Sequence, residues 1–368
     1  MSRKRTRSVT DGEQQIALSD EEAVVDDTPK ALQRGWRKDS RRSTPSLASS
    51  SRASGASSPI KQFRFAATQE TGFTQLDFTP NIHQLPPSLK SLRRQLVDIG
   101  YGQDLLPSSI RQEVQDLGDF PRFAFYDSTT HANQWRIPST AFVHQIVTRA
   151  AECNENLEGE SSWNMDVHRC LLDFAFRAEQ SNALIDYRYC TGAQIVPEYR
   201  PHSAPSKSVD FCLCIKPPQL SHEADIIDSL IKTRPGISIN HTDWGNFCKH
   251  PIALSIETKR QAEWDRALLQ TGTWHSAQWR ALQFNANIKS IECLPGIIVQ
   301  GHSWYFVAST LDSGRSKLYH ELDIGSTKSH FDLYKLLISL QCLGFWIEHS
   351  YWPAFIDDVL KPAETTGL

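Results

Sequence analysis

No stretch of the 368-residue chain approaches the roughly 18 consecutive apolar residues of a membrane-spanning helix. A protein without membrane spans is therefore expected. A secretory leader is not expected either, because the opening MSRKRTRSVT has no hydrophobic stretch behind its basic residues. The eight cysteines, at 153, 170, 190, 212, 214, 248, 293 and 342, include no CxxC pair. Cys212 and Cys214 lie two apart, like neighbours on one strand face. The cysteines read as reduced thiols of a nuclear or cytoplasmic protein rather than as a disulfide framework. Strong charge of one sign is also missing: 39 Lys and Arg face 42 Asp and Glu, a formal net charge of -3. That excludes a general basic coat for nucleic acid and leaves room for a local basic cleft. The chain has no internal repeat.

What is present divides into two textures. Between Ser40 and Ser58, nine of nineteen residues are serine, interleaved with Arg41, Arg42 and Arg52. Such a segment buries too little apolar surface to offset its ordering entropy, so a disordered tail is expected over residues 1–85. The clusters Arg3-Lys4-Arg5 and Arg41-Arg42 read as nuclear-import or phosphate-contact segments, or equally as parts of a solvated tail. A globular domain is expected over 86–360, and with 39% hydrophobic and 10% aromatic residues the chain can build a core.

Helical spacing marks Ser88–Ile99, Ala141–Ala151 and Trp163–Arg177, the last with Ser161 and Ser162 as candidate caps. The period then drops to two. Val209, Phe211, Leu213 and Ile215 alternate with Asp210, Cys212, Cys214 and Lys216, which predicts a strand. Pro217–Pro251 reads as an insertion with a short helix over Asp225–Lys232. A second strand follows, with Ile252, Leu254 and Ile256 on one face and Ala253, Ser255, Glu257 and Lys259 on the other. Arg260–Phe284 reads as a helix, 296–309 as a hairpin around Gly301-His302-Ser303, and His330–Tyr351 as a long closing helix. The order predicts an α/β domain with a central mixed sheet flanked by helices.

The chemistry concentrates in Ser255-Ile256-Glu257-Thr258-Lys259-Arg260. A carboxylate and an ammonium two residues apart point from one strand face, and an Ile/Leu strand has no structural need of both. If the two strands pair, Asp210 joins them. Two carboxylates hold one or two divalent metals through hard oxygen ligands, with Mg²⁺ preferred. A neighbouring lysine orients or deprotonates a water and offsets developing charge. In the plainer reading Asp210 faces solvent and Glu257–Lys259 is a surface ion pair of little energetic consequence.

Asp210 followed by Glu257-Thr258-Lys259 resembles the Asp…(Asp/Glu)-x-Lys signature of PD-(D/E)XK nucleases. The flanking text is similar to a family of fungal PD-(D/E)XK nuclease-like proteins: Trp163-Asn164 with Val167-His168, Ser208 through Phe211, Pro251 through Lys259, Leu269 through Trp274, and Ala277-Gln278-Trp279. The resemblance implies a restriction-endonuclease-like core, with Asp210 and Glu257 as metal ligands for Mg²⁺ or Mn²⁺ and Lys259 as the catalytic lysine. It also implies a supporting role for Gln270, which with Trp274 resembles an extra motif of RecB-like members. Glu160 is the best-placed acidic residue of the first core helix, and reads either as a further metal ligand or as a partner of that helix's dipole. Val209 stands where the signature has proline, and the gap from Asp210 to Glu257 is long, as the insertion requires. The implied function is metal-dependent hydrolysis of nucleic acid, DNA in the first place. The alternative is a nuclease-like fold that binds nucleic acid or protein without cleaving, or that serves a secondary pathway.

Two further groups carry plain readings. Trp163, Trp264, Trp274 and Trp279 read as core aromatics before they read as base-stacking platforms. His202, His222, His241, Cys248 and His250 match no familiar zinc-ligand spacing.

Overall fold

Runs of Val, Ile and aromatic residues, bounded by Gly and Pro, become strands wherever helices cover both of their faces. The computed structural model describes residues 58–127, 134–177, 183–201 and 208–361. In chain order its elements are α1 (Pro59–Thr68), β1 (Phe73–Asp77), α2 (Pro87–Tyr101), β2 (Leu106–Pro107), α3 (Arg111–Gln115), β3 (Phe125–Tyr126), α4 (Thr140–Glu155), α5 (Glu160–Trp163) and α6 (Arg169–Phe176). There follow β4 (Ile185–Tyr189), β5 (Phe211–Ile215), α7 (His222–Leu230), β6 (Ile252–Lys259), α8 (Trp264–Leu282), β7 (Leu294–Gln300), β8 (Ser303–Asp312), β9 (Arg315–Ser326), α9 (His330–Trp346) and α10 (Trp352–Phe355). Short 3-10 and π turns complete the set. No described helix is long and apolar enough to cross a membrane.

Seven strands form one sheet in the order β1-β9-β8-β7-β6-β5-β4, and β2 and β3 form a separate two-residue ladder. The pairs β6–β7 and β1–β9 are parallel, and the other neighbours in the large sheet run antiparallel. The expected mixed sheet flanked by helices is thus present. One face packs on α2, α4, α6 and α9 through Leu89, Ile146, Leu171 and Leu337 among others. On the other face, α8 lies against β6 and β7. All eight residues of β6 are buried. The side of β6 read as polar is therefore no solvent-facing surface, because α8 covers it; Ser255 there pairs with His275 of α8 at 2.8 Å.

Several boundaries differ from the sequence reading. The tail was expected to reach residue 85, yet α1 and β1 belong to the folded part: β1 pairs with β9 from Phe73↔Ser316 to Asp77↔His320. Five residues at a sheet edge are too short to show a period. What seats them is a long-range fit, in which Phe73 lies against Gly272 so closely that a Cβ there would come within 2.3 Å of its ring. Residues 1–57, with their serine-rich segment and basic clusters, lie outside the described residues. Strands β4 and β9 also escaped the pattern, and the helix read over 163–177 is split by a π turn at Asn164–His168. Ser161 and Ser162 are not caps: they lie inside α5, whose N-cap is Gly159.

Candidate active site

The site is built on the end of the sheet where β5 begins and β6 ends. Phe211 stands opposite Ile256, and the Asp210 amide donates to the Ile256 carbonyl at 3.0 Å, which sets Asp210 beside Glu257 despite the long insertion between them. Glu257 and Lys259 share one side of β6, and the Lys259 ammonium makes an ion pair with Glu257 Oε1 and donates to the Thr258 carbonyl at 2.9 Å. Glu160, at the start of α5, reaches Lys259 Nζ at 3.6 Å and stands at the exposed rim. Asp210 Oδ2 accepts from the backbone amide and from the hydroxyl of Thr258, both at 2.8 Å. Gln270, half-buried on α8, donates to the Ser208 carbonyl at 3.2 Å, two residues before Asp210.

The sequence-predicted residues therefore come together in two ways. Asp210, Glu257 and Lys259 form the centre, with Glu160 joined to it through Lys259. Gln270 touches the backbone that carries Asp210 rather than the centre itself. Of the tryptophans, Trp163, Trp274 and Trp279 are buried and Trp264 is half-buried, in keeping with core roles. His241 sits inside, edge-on to Trp274 at 4.2 Å, and His202 lies outside the described residues.

Burial governs the electrostatics. Glu257 is 1% exposed and Asp210 7%. Removal from water pushes the Glu257 carboxyl well above its usual range, the Asp210 charge adds to this, and Lys259 opposes it without prevailing. Asp210 is raised for the same first reason, against the pull of Lys259 and the Thr258 hydrogen bonds. For Lys259 burial acts downward, but Glu257, Asp210 and Glu160 together hold its pKa above the ordinary lysine value. One ammonium thus faces three carboxyl groups. Glu257 Oε2 has no hydrogen-bond partner although it is fully buried. A buried carboxylate oxygen without a donor is costly, and a divalent cation is the species that would relieve it. The donor set, carboxylate oxygens with no cysteine or histidine among them, fits a hard cation such as Mg²⁺ or Mn²⁺.

Three residues that the sequence reading left without a role lie next to the centre: Thr258 on Asp210, Asn164 with Oδ1 3.1 Å from the Thr258 hydroxyl, and His168 with Nδ1 2.8 Å from that Asn164 oxygen. Thr258 had been read only as the spacer between Glu257 and Lys259. The pattern match around Asn164 and His168 was the available signal, but it carried no indication of what they touch. Among the described residues, one group of three potential ligands has its atoms within 4.8 Å of one another: Asp77, His320 and Glu321, on β1 and β9.

A search of curated proteins and of solved structures finds no match to this chain. The sequence model of the PD-(D/E)XK nuclease superfamily matches residues 109–352, a span that holds Glu160, Asp210, Glu257, Lys259 and Gln270 and every large-sheet strand except β1. With well over half of its length covered, the chain belongs to the PD-(D/E)XK nuclease superfamily.

Proposed function

We propose that the protein is a divalent-metal-dependent nuclease that hydrolyses phosphodiester bonds in DNA. The observation that carries the reading is the Glu257 carboxylate: fully buried, paired on one oxygen with Lys259, open on the other, and set beside Asp210. Asp210 and Glu257 would hold Mg²⁺ or Mn²⁺, with Glu160 contributing from the rim. A bound divalent ion supplies charge neutralisation at the phosphoryl oxygens and acidifies a bound water. Lys259 remains an ammonium among its three carboxylate neighbours, which favours a role in orienting the attacking water and offsetting charge over that of a base. Gln270 braces the backbone that leads into Asp210. Nuclear residence is part of the proposal and rests on the basic clusters of the tail.

The test is cleavage of supercoiled plasmid, linear duplex, single-stranded DNA and RNA with Mg²⁺ or Mn²⁺, beside Lys259→Ala and an EDTA control. Because Lys259 is buried against Glu257, thermal melting must accompany the assay to show that the variant is folded. Metal-dependent cutting of DNA, lost in folded Lys259→Ala, is the expected result. A folded wild-type chain that cuts none of the substrates sinks the proposal.

A further inference from the structure

Thr258 lies between Glu257 and Lys259, so strand alternation turns its side chain to the opposite face of the sheet. There it meets the π turn of residues 164–168. Its Oγ1 is 2.8 Å from Asp210 Oδ2 and 3.1 Å from Asn164 Oδ1, and Asn164 Oδ1 is in turn 2.8 Å from His168 Nδ1. Asn164, His168, Thr258 and Asp210 are all buried. The chain of contacts ends on apolar walls, with the His168 ring 5.3 Å from Trp304 and at right angles to it. A π turn inserts an extra residue into a helix and recurs at functional sites. Here it sets Asn164 and His168 facing the strand that carries the acidic centre.

We propose that Asn164 is a positioning residue. Held by His168 on one side, it keeps Thr258 Oγ1 on Asp210 Oδ2, which ties that oxygen to the protein and leaves Oδ1 for the cation. Without Asn164 the β-branched Thr258 side chain has an unfilled space beside Oγ1 and can turn its methyl group into it. The Thr258 hydroxyl has one proton and two acceptors in reach, the nearer being Asp210. Turned about its terminal torsion, the Asn164 amide donates Nδ2–H to Oγ1 and so supports the hydroxyl while it donates to Asp210. The inference rests on Asp210 being a metal ligand.

The test uses the full chain and titrates Mn²⁺ by calorimetry into wild type, Asn164→Ala, Thr258→Val and the double variant. Asn164→Ala is expected to weaken Mn²⁺ binding about tenfold, the size typical for groups that orient a metal ligand. Thr258→Val should lose at least as much, and the double variant no more than Thr258→Val alone, because Asn164 acts through Thr258. Wild-type Mn²⁺ affinity in Asn164→Ala, with only a lowered melting temperature, overturns the proposal; so do losses that multiply in the double variant. Wild type that binds no Mn²⁺ defeats the metal reading instead. In that case the Thr258 amide resonance of a ¹⁵N-threonine-labelled chain, assigned by its absence in Thr258→Val, decides the positioning. It should move in Asn164→Ala, and an unmoved resonance refutes the inference.

Discussion

The sheet carries two groups of potential metal ligands on opposite flanks, and they differ most in the exposure of their carboxyl groups. On β1 and β9, Asp77 and His320 are cross-strand partners with Oδ1 and Nε2 3.7 Å apart, and Glu321 completes a cluster whose ligand atoms lie within 4.8 Å. The Asp77 side chain there is 65% exposed, so water already satisfies it. At Asp210 and Glu257 the carboxyl groups are out of water, an ammonium balances only part of their charge, and one oxygen has no partner. Closeness of ligands is common on protein surfaces. What distinguishes the Asp210/Glu257 group is charge held out of water at an electrostatic cost, since a fold that buries charge without compensation would otherwise be destabilised.

The most direct way to break this comparison is mutagenesis of both groups in one cleavage assay. Asp210→Ala or Glu257→Ala should reduce cleavage by about a thousandfold or more, as loss of a group that stabilises the transition state does. Asp77→Ala, His320→Ala and Glu321→Ala should each stay within about twofold, as surface changes away from a site do. Comparable losses in both groups would show that burial was the wrong criterion.

A second test concerns the histidines of the interior. Burial pushes His168, His241 and His275 down to about 3, with His275 adding to the shift at His241. Their folded pKa values lie below the ordinary value, so the stability they contribute is fully present above about pH 6.5 and is lost as pH falls toward 3. Each can steepen the loss by at most about 1.4 kcal/mol per pH unit. Urea unfolding at pH 7.5, 6 and 5 should show this fall, and His275→Gln should flatten it by about one proton. An unchanged slope would mean that His275 is not held neutral by the fold.

The smallest expected effect belongs to Gln270. Its hydrogen bond to the Ser208 carbonyl contributes about 1 kcal/mol, so Gln270→Ala should lower cleavage about fivefold, with little change in melting temperature. A thousandfold loss would place Gln270 in the centre beside Glu257 rather than behind Asp210.

Much of the site was legible because its signals are local. A strand with Glu257 and Lys259 in a β-branched apolar run reads the same in isolation and in the sheet, and so does Asp210 before Phe211. Helices α2, α4, α8 and α9 show their period over at least fifteen residues each. Edge strands β1 and β4 have five residues apiece and carry little pattern of their own. The environment of Ser255, Glu257 and Lys259 on β6 was not legible for a related reason: alternation tells which residues share a side, and only packing tells what covers that side.

By itself, the sequence determined which residues in and just before β5 and β6 carry the acidic and basic groups, their order, and the mixed α/β character, because those follow from periodicity over a few neighbouring residues. The tertiary structure decided the rest: that Glu257 is buried, that β1 adds an edge to the sheet, and that Asn164 reaches Thr258 across 94 positions of chain. Burial and long-range contact depend on how distant segments pack. No local pattern encodes the burial that lifts the Glu257 carboxyl well above its usual range.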